Sequence, residues 1–142
     1  MPLATRLFIK SGILYLVAGI ILSLISEIPD LGLSPLLLPV YWHMIVVGWI
    51  TQIIIGVSYW MFPRATKGRR NTNSKIILAS FITLNAGLLL RFIAEPFIPL
   101  NIDSELIIWS IALSSILQLT AIILFILEIW PRVRGKAIPI AG

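Results

Sequence analysis

Residues 41–64 read YWHMIVVGWITQIIIGVSYWMFPR, and this stretch decides the fold. About 20 mostly apolar residues are needed to cross the hydrocarbon of a bilayer, and this run meets that length. It also carries the only histidine in the chain, His43, and three of the five tryptophans. A helix made for lipid thus places one imidazole near its start. That histidine is either a ligand or a bystander.

The rest of the chain belongs to the same class. Of 142 residues, 58% are hydrophobic and only 12% are charged, and the mean hydropathy is +1.01. A soluble domain carries about a quarter of its residues as charges to cover its surface. The composition therefore predicts an all-α integral membrane protein. Four segments have the length and apolarity of a span, at roughly 7–28, 38–62, 76–100 and 106–130. Little chain is left between them, so one domain covering residues 1–142 is expected: a four-transmembrane-helix bundle. The first segment reads as a retained helix, because its apolar run is long and SEIPD follows it, which is no small-x-small cleavage site. With no cysteine in the chain, disulfides, thiolate metal sites and thiol nucleophiles are excluded.

Charge sets the expected orientation. Arg6 and Lys10 stand at the start of the first segment. Arg64, Lys67, Arg69, Arg70 and Lys75 lie between the second and third, and Arg132, Arg134 and Lys136 follow the fourth. The two other connections carry Glu27, Asp30, Asp103 and Glu105, with no lysine or arginine. Both termini and the middle loop are therefore expected on the cytoplasmic side of a prokaryotic cytoplasmic membrane, with the acidic loops outside. The net charge of +5 follows from this bias and does not point to nucleic acid. Prolines in PDLGLSPLLLP and EPFIPLNIDSE are expected to stop helices in the outer loops. Pro63 and Pro131 are expected to close the second and fourth helices, and Tyr59, Trp60 and Trp130 to form an interfacial belt.

Ionisable residues at membrane depth are costly and face protein, water or a cofactor. Three stand out. At 1.5 Å per residue, His43 lies about 7 Å, Glu95 about 6 Å and Arg91 about 12 Å below the outer ends of their helices. Arg91 and Glu95, four apart, share a helical face. Read blandly, His43 is an interfacial side chain with a hydrogen-bonded neighbour, and Arg91 and Glu95 form an ion pair with Arg91 snorkelling outward. Read functionally, His43 is an axial ligand to haem iron and Arg91 neutralises a haem propionate. These residues alone leave both readings open. Deeper polar residues (Thr51, Gln52, Thr83, Asn85, Gln118 and Thr120) read as interhelical hydrogen-bond partners rather than a proton or quinone path. Gly12, Ala18, Gly19, Gly48, Gly56, Ala86 and Gly87 permit close backbone approach, leaving room for another helix or a flat porphyrin. Spacings of seven and eleven put Trp42, Trp49 and Trp60 on one face, with Trp49 too deep to be an interfacial anchor and packed on protein or a ring.

The run from His43 through Gly48, Trp49, Gly56, Tyr59, Trp60 and Phe62 to Pro63 resembles the histidine-bearing second helix of the haem–copper oxidase superfamily core subunit, and more closely its small four-helix relatives. In that family the histidine ligates a low-spin haem. The resemblance therefore implies haem b on His43, and electron transport in a respiratory chain. Gly48, Trp49, Arg91 and Glu95 are the residues expected around it. The chain departs from the family in having only four helices, no second haem-ligand helix and no copper-binding histidines, so oxygen reduction at a haem–copper centre is not expected. Tyr41 stands where many small relatives have the first histidine of His-x-His. Met44 points about 100° away from His43 and cannot serve the same iron. A second ligand is expected from His43 of another copy on a two-fold axis, or from another subunit; otherwise the iron stays five-coordinate and binds a gas. The expectation is thus a redox carrier rather than an enzyme, acting as a homodimer or as a subunit of a larger complex, with a protein or quinone as redox partner. Against it stand a cofactor-free structural or assembly subunit and a gas- or quinone-binding sensor.

Overall fold

The structure is a computed structural model, and it describes residues 1–62, 75–100 and 104–133. The described residues are helical, with no strand among them. Four helices are long and apolar enough to cross a membrane: α1 Leu3–Ser26, α2 Ser34–Met61, α3 within Lys75–Leu100, and α4 Glu105–Val133. The all-α, four-helix expectation is met at this level. Pro63, Arg64, Lys67, Arg69, Arg70, Asp103, Arg134 and Lys136 lie outside the described residues.

Prolines act differently from the sequence expectation at three places. The stretch before residue 38 is partly helical, because α2 already starts at Ser34 with a proline in its first turn. Proline fits there, since its missing N–H would have no helical partner. Pro39 also lies inside α2. At the other end of the chain, Pro131 sits within α4, which runs on to Val133. Helix α3 is α-helical only through Ala94 and then tightens into a 3-10 segment, Glu95–Leu100. A residue before proline disfavours the α conformation, and Glu95 precedes Pro96. Glu95 therefore stands at the junction rather than inside an unbroken helix. The α1–α2 connection holds a short 3-10 turn, Pro29–Leu31, ended by Gly32 at φ 59°, a left-handed conformation that glycine adopts freely.

The middle of α2 is unusual. Residues Met44–Thr51 form a π-helical stretch between two α-helical halves, Ser34–His43 and Gln52–Met61. Thr51 Oγ1 donates to the Val46 carbonyl, five residues back, at 2.9 Å. The stretch begins directly after His43. It also undoes the tryptophan argument, because spacings of seven and eleven count α-helical turns. Trp42 and Trp60 are 52% and 55% exposed, whereas Trp49 is half-buried.

Small residues let the helices meet. A Cβ added at Gly48 would lie 2.7 Å from Tyr15 Cγ, and one at Gly56 would lie 3.0 Å from Phe8 Cβ. Helices α1 and α2 are thus in backbone-close contact along this seam, as small residues allow between membrane helices. Helices α3 and α4 are joined by serines. Ser80 Oγ donates to the Ala121 carbonyl at 2.7 Å, and Ser114 Oγ to the Gly87 carbonyl at 2.8 Å. Edge-to-face pairs Phe8–Phe81 (5.1 Å) and Tyr15–Phe92 (5.7 Å) then clamp α1 to α3. The buried apolar core includes Phe8, Ile55, Ile77, Leu84, Leu88 and Ala121.

Candidate functional site

The sequence-predicted ionisable residues meet at one end of the bundle. His43 Nδ1 lies 3.1 Å from Glu95 Oε2, joining α2 to the end of α3. The same Nδ1 lies 2.9 Å from the Pro39 carbonyl oxygen, one turn back on α2. Arg91 Nε donates to Glu95 Oε1 at 3.2 Å, and Arg91 Nη1 donates to Ser115 Oγ on α4 at 3.1 Å. The line Ser115–Arg91–Glu95–His43 therefore ties three helices together.

Burial differs sharply along this line. The Glu95 side chain is 5% exposed and the His43 side chain 27% exposed. A buried carboxylate is tolerated only when paired, and Arg91 supplies the pairing. The proton on Nδ1 is directed at the Pro39 carbonyl, so Glu95 Oε2 touches the ring off that line and makes no aligned hydrogen bond. Both oxygens nonetheless face Nδ1, and neither a carbonyl nor a carboxylate can donate to it. Nδ1 must therefore carry a proton. In a neutral ring, Nε2 is then the nitrogen with a free lone pair.

Gly48 and Trp49, the other expected site residues, follow in the π stretch. The space beside Gly48 is taken by the ring base of Tyr15, so a helix fills it within the chain. The Trp49 carbonyl oxygen is 3.4 Å from where a Cβ on Gly12 would stand. Trp42, stacked on Tyr41 with ring centres 6.1 Å apart, is the exposed aromatic next to His43.

A second polar layer lies deeper. Asn85 Oδ1 accepts from Tyr15 Oη at 3.0 Å and from Gln52 Nε2 at 3.2 Å, and Asn85 Nδ2 donates to the Phe81 carbonyl at 2.8 Å. Gln52 and Asn85 thus bridge helices as expected. Gln118 acts one step removed, donating to Ser114 Oγ at 3.1 Å. Thr51, Thr83 and Thr120 instead bond carbonyls of their own helices, so they join nothing across the bundle.

Sequence reasoning missed a third cluster at the opposite end. The Arg132 guanidinium pairs with Glu128, donates to the Phe62 carbonyl at 3.2 Å, and lies 4.2 Å from the centre of the Tyr59 ring. Both charged side chains are buried. The signal was present: an acid and a base four apart on a helix face each other. Tyr15, Ser80, Ser114 and Ser115 were also missed. For Tyr15 the clue is that a buried phenol needs a partner for its hydroxyl.

Among the described residues, no three histidine, cysteine, aspartate or glutamate side chains gather to hold a metal ion. The chain matches no family model, no curated protein and no solved structure.

Proposed function

We propose that this chain is a haem b-binding electron-transfer protein of a prokaryotic cytoplasmic membrane, with His43 as an axial ligand. The observation that carries this reading is the engaged Nδ1 of His43. A ligating histidine usually donates its other ring N–H to a carbonyl or carboxylate, which fixes the ring and leaves one nitrogen for the metal. The Pro39 carbonyl does this to His43, and the Glu95 carboxylate lies 3.1 Å from the same nitrogen. The donor set also suits a porphyrin better than a bare ion, because a porphyrin supplies four nitrogens itself and asks the protein only for axial ligands. When bound, haem supplies a one-electron couple.

Each residue then has a task. His43 offers Nε2 at the edge of the bundle, where its ring is partly exposed. That position, with the room at Gly48 filled by Tyr15, supports a site shared between chains over one enclosed in a single bundle. Two-fold pairing would bring a second His43 to the same iron. Arg91 has two of its nitrogens committed, to Glu95 and Ser115, and its remaining terminal nitrogen is the group available to a propionate. Trp42, next to His43 and stacked on Tyr41, offers aromatic surface beside the site. The basic bias of the connecting loops supports placing the His43 end outward. The resemblance of residues 43–63 to the haem–copper oxidase core helix supports the same assignment of His43.

One observation favours a cofactor-free structural subunit instead. The line from Ser115 to His43 already ties α2, α3 and α4 together, which is a sufficient reason for its residues to exist. The two readings part on spectra. Haem-supplemented protein shows a Soret band that His43→Ala abolishes if His43 ligates iron, whereas a purely structural histidine leaves the protein colourless in both forms. Carbon monoxide tests the gas-sensor alternative: an unchanged reduced spectrum indicates two axial ligands.

A further inference from the structure

We infer that the Pro39 carbonyl and the Glu95 carboxylate select, between the two neutral tautomers of the His43 ring, the one protonated at Nδ1, whose bare nitrogen is Nε2. Glu95 is thereby a positioning residue for ligation at His43; the functional value of this rests on the haem-binding reading, but the tautomer itself does not.

The geometry has three parts. Two proton-accepting oxygens lie within 3.1 Å of Nδ1, at 2.9 Å on Pro39 and 3.1 Å on Glu95. A bare Nδ1 lone pair would face both of them and be repelled, so the tautomer protonated at Nε2 is disfavoured. Next, Glu95 cannot swing away freely. Arg91 holds Oε1 at 3.2 Å, and Ser115 holds Arg91 at 3.1 Å. With Oε1 committed, Oε2 is the oxygen left to face the ring, and it has no hydrogen-bond partner of its own. Last, the join between α3 and its 3-10 extension places Glu95 beside the ring. Contacts to a charged partner are strong enough to bias two tautomers by about tenfold or more.

His43 is the only histidine, so histidine-selective nitrogen labelling reports one residue and needs no assignment. The experiment uses the full chain in lipid nanodiscs, purified without a polyhistidine tag and without added haem, with the pH raised until the ring signals no longer change. Nitrogen NMR of the wild type should show one neutral imidazole with its proton on Nδ1. A neutral ring protonated at Nε2 rather than Nδ1 overturns the inference. Glu95→Gln should add a second species protonated at Nε2, because the amide can donate to Nδ1. Glu95→Asp, which keeps the charge but is shorter by one methylene, should also lose the single species. Variants that keep the wild-type pattern remove Glu95 from the assignment. Wild-type protein with the expected tautomer but no Soret band after haem addition would retire the haem reading and leave this one standing.

Discussion

Replacing Gly48 with alanine should loosen the bundle far more than the same change at Gly12. The added Cβ at Gly48 would lie 2.7 Å from Tyr15 Cγ and 2.8 Å from Tyr15 Cβ. Carbon atoms pack at about 3.5–4.0 Å, so α1 and α2 must part by roughly 1 Å. Rotating the Tyr15 ring does not help, because its Cβ is fixed to the α1 backbone. Overpacking of this kind costs about 1–3 kcal/mol. Alanine returns up to about 1 kcal/mol through helix propensity, leaving a net loss of about 1–2 kcal/mol. The shift would also pull Tyr15 Oη away from Asn85. At Gly12 the nearest atom is Ile53 Cδ1 at 3.2 Å, the free end of a flexible side chain, with the Trp49 carbonyl at 3.4 Å. There the neighbour gives by a few tenths of an ångström and propensity offsets the strain, so Gly12→Ala should change stability by no more than about 0.5 kcal/mol. Reversible unfolding of both variants in mixed micelles, followed by circular dichroism, measures the difference. Equal stabilities, or a more stable Gly48→Ala protein, would refute the close-contact argument.

Three further outcomes follow from the polar layers. Tyr15→Phe removes a hydroxyl bonded to Asn85 and should cost about 0.6–2 kcal/mol in the same unfolding assay; no loss would mean the bond is not formed in lipid. Ser114→Ala removes the hydroxyl that bonds the Gly87 carbonyl between α4 and α3 and should cost about 1 kcal/mol, whereas Ser110→Ala, whose hydroxyl bonds its own helix, should be nearly neutral. Arg132→Met should destabilise by about 3 kcal/mol, as for a broken buried pair. A neutral Arg132→Met would show that the pair is solvated.

Hydropathy and length were enough to find four long helices, because crossing lipid imposes one requirement on every segment: about 20 apolar residues with internally satisfied backbone. The meeting of His43, Arg91 and Glu95 was also legible, since residue rise along opposed helices puts them at one depth. Their partners were not. Pro39 contributes a carbonyl, which every residue has, and Ser115 is one of several serines on α4. The π stretch was hidden because apolar side chains satisfy α and π windings alike, and only the hydrogen-bond pattern separates them. Threonine roles were misjudged for a related reason: Thr51, Thr83 and Thr120 can bond their own helix as readily as a neighbour, and all three do. Glu128 was passed over although Arg132 stands four residues on, a spacing that by itself predicts the pair.

The central claim is that His43 Nε2 ligates haem iron. The most direct measurement is an absorption spectrum with a pyridine haemochrome assay and native mass, on haem-supplemented wild type and His43→Ala. A Soret band in the wild type, a haem b signature, two chains per haem, and loss of the band in a variant of unchanged helical content are the expected results. A folded, colourless wild type after haem supplementation would contradict the claim.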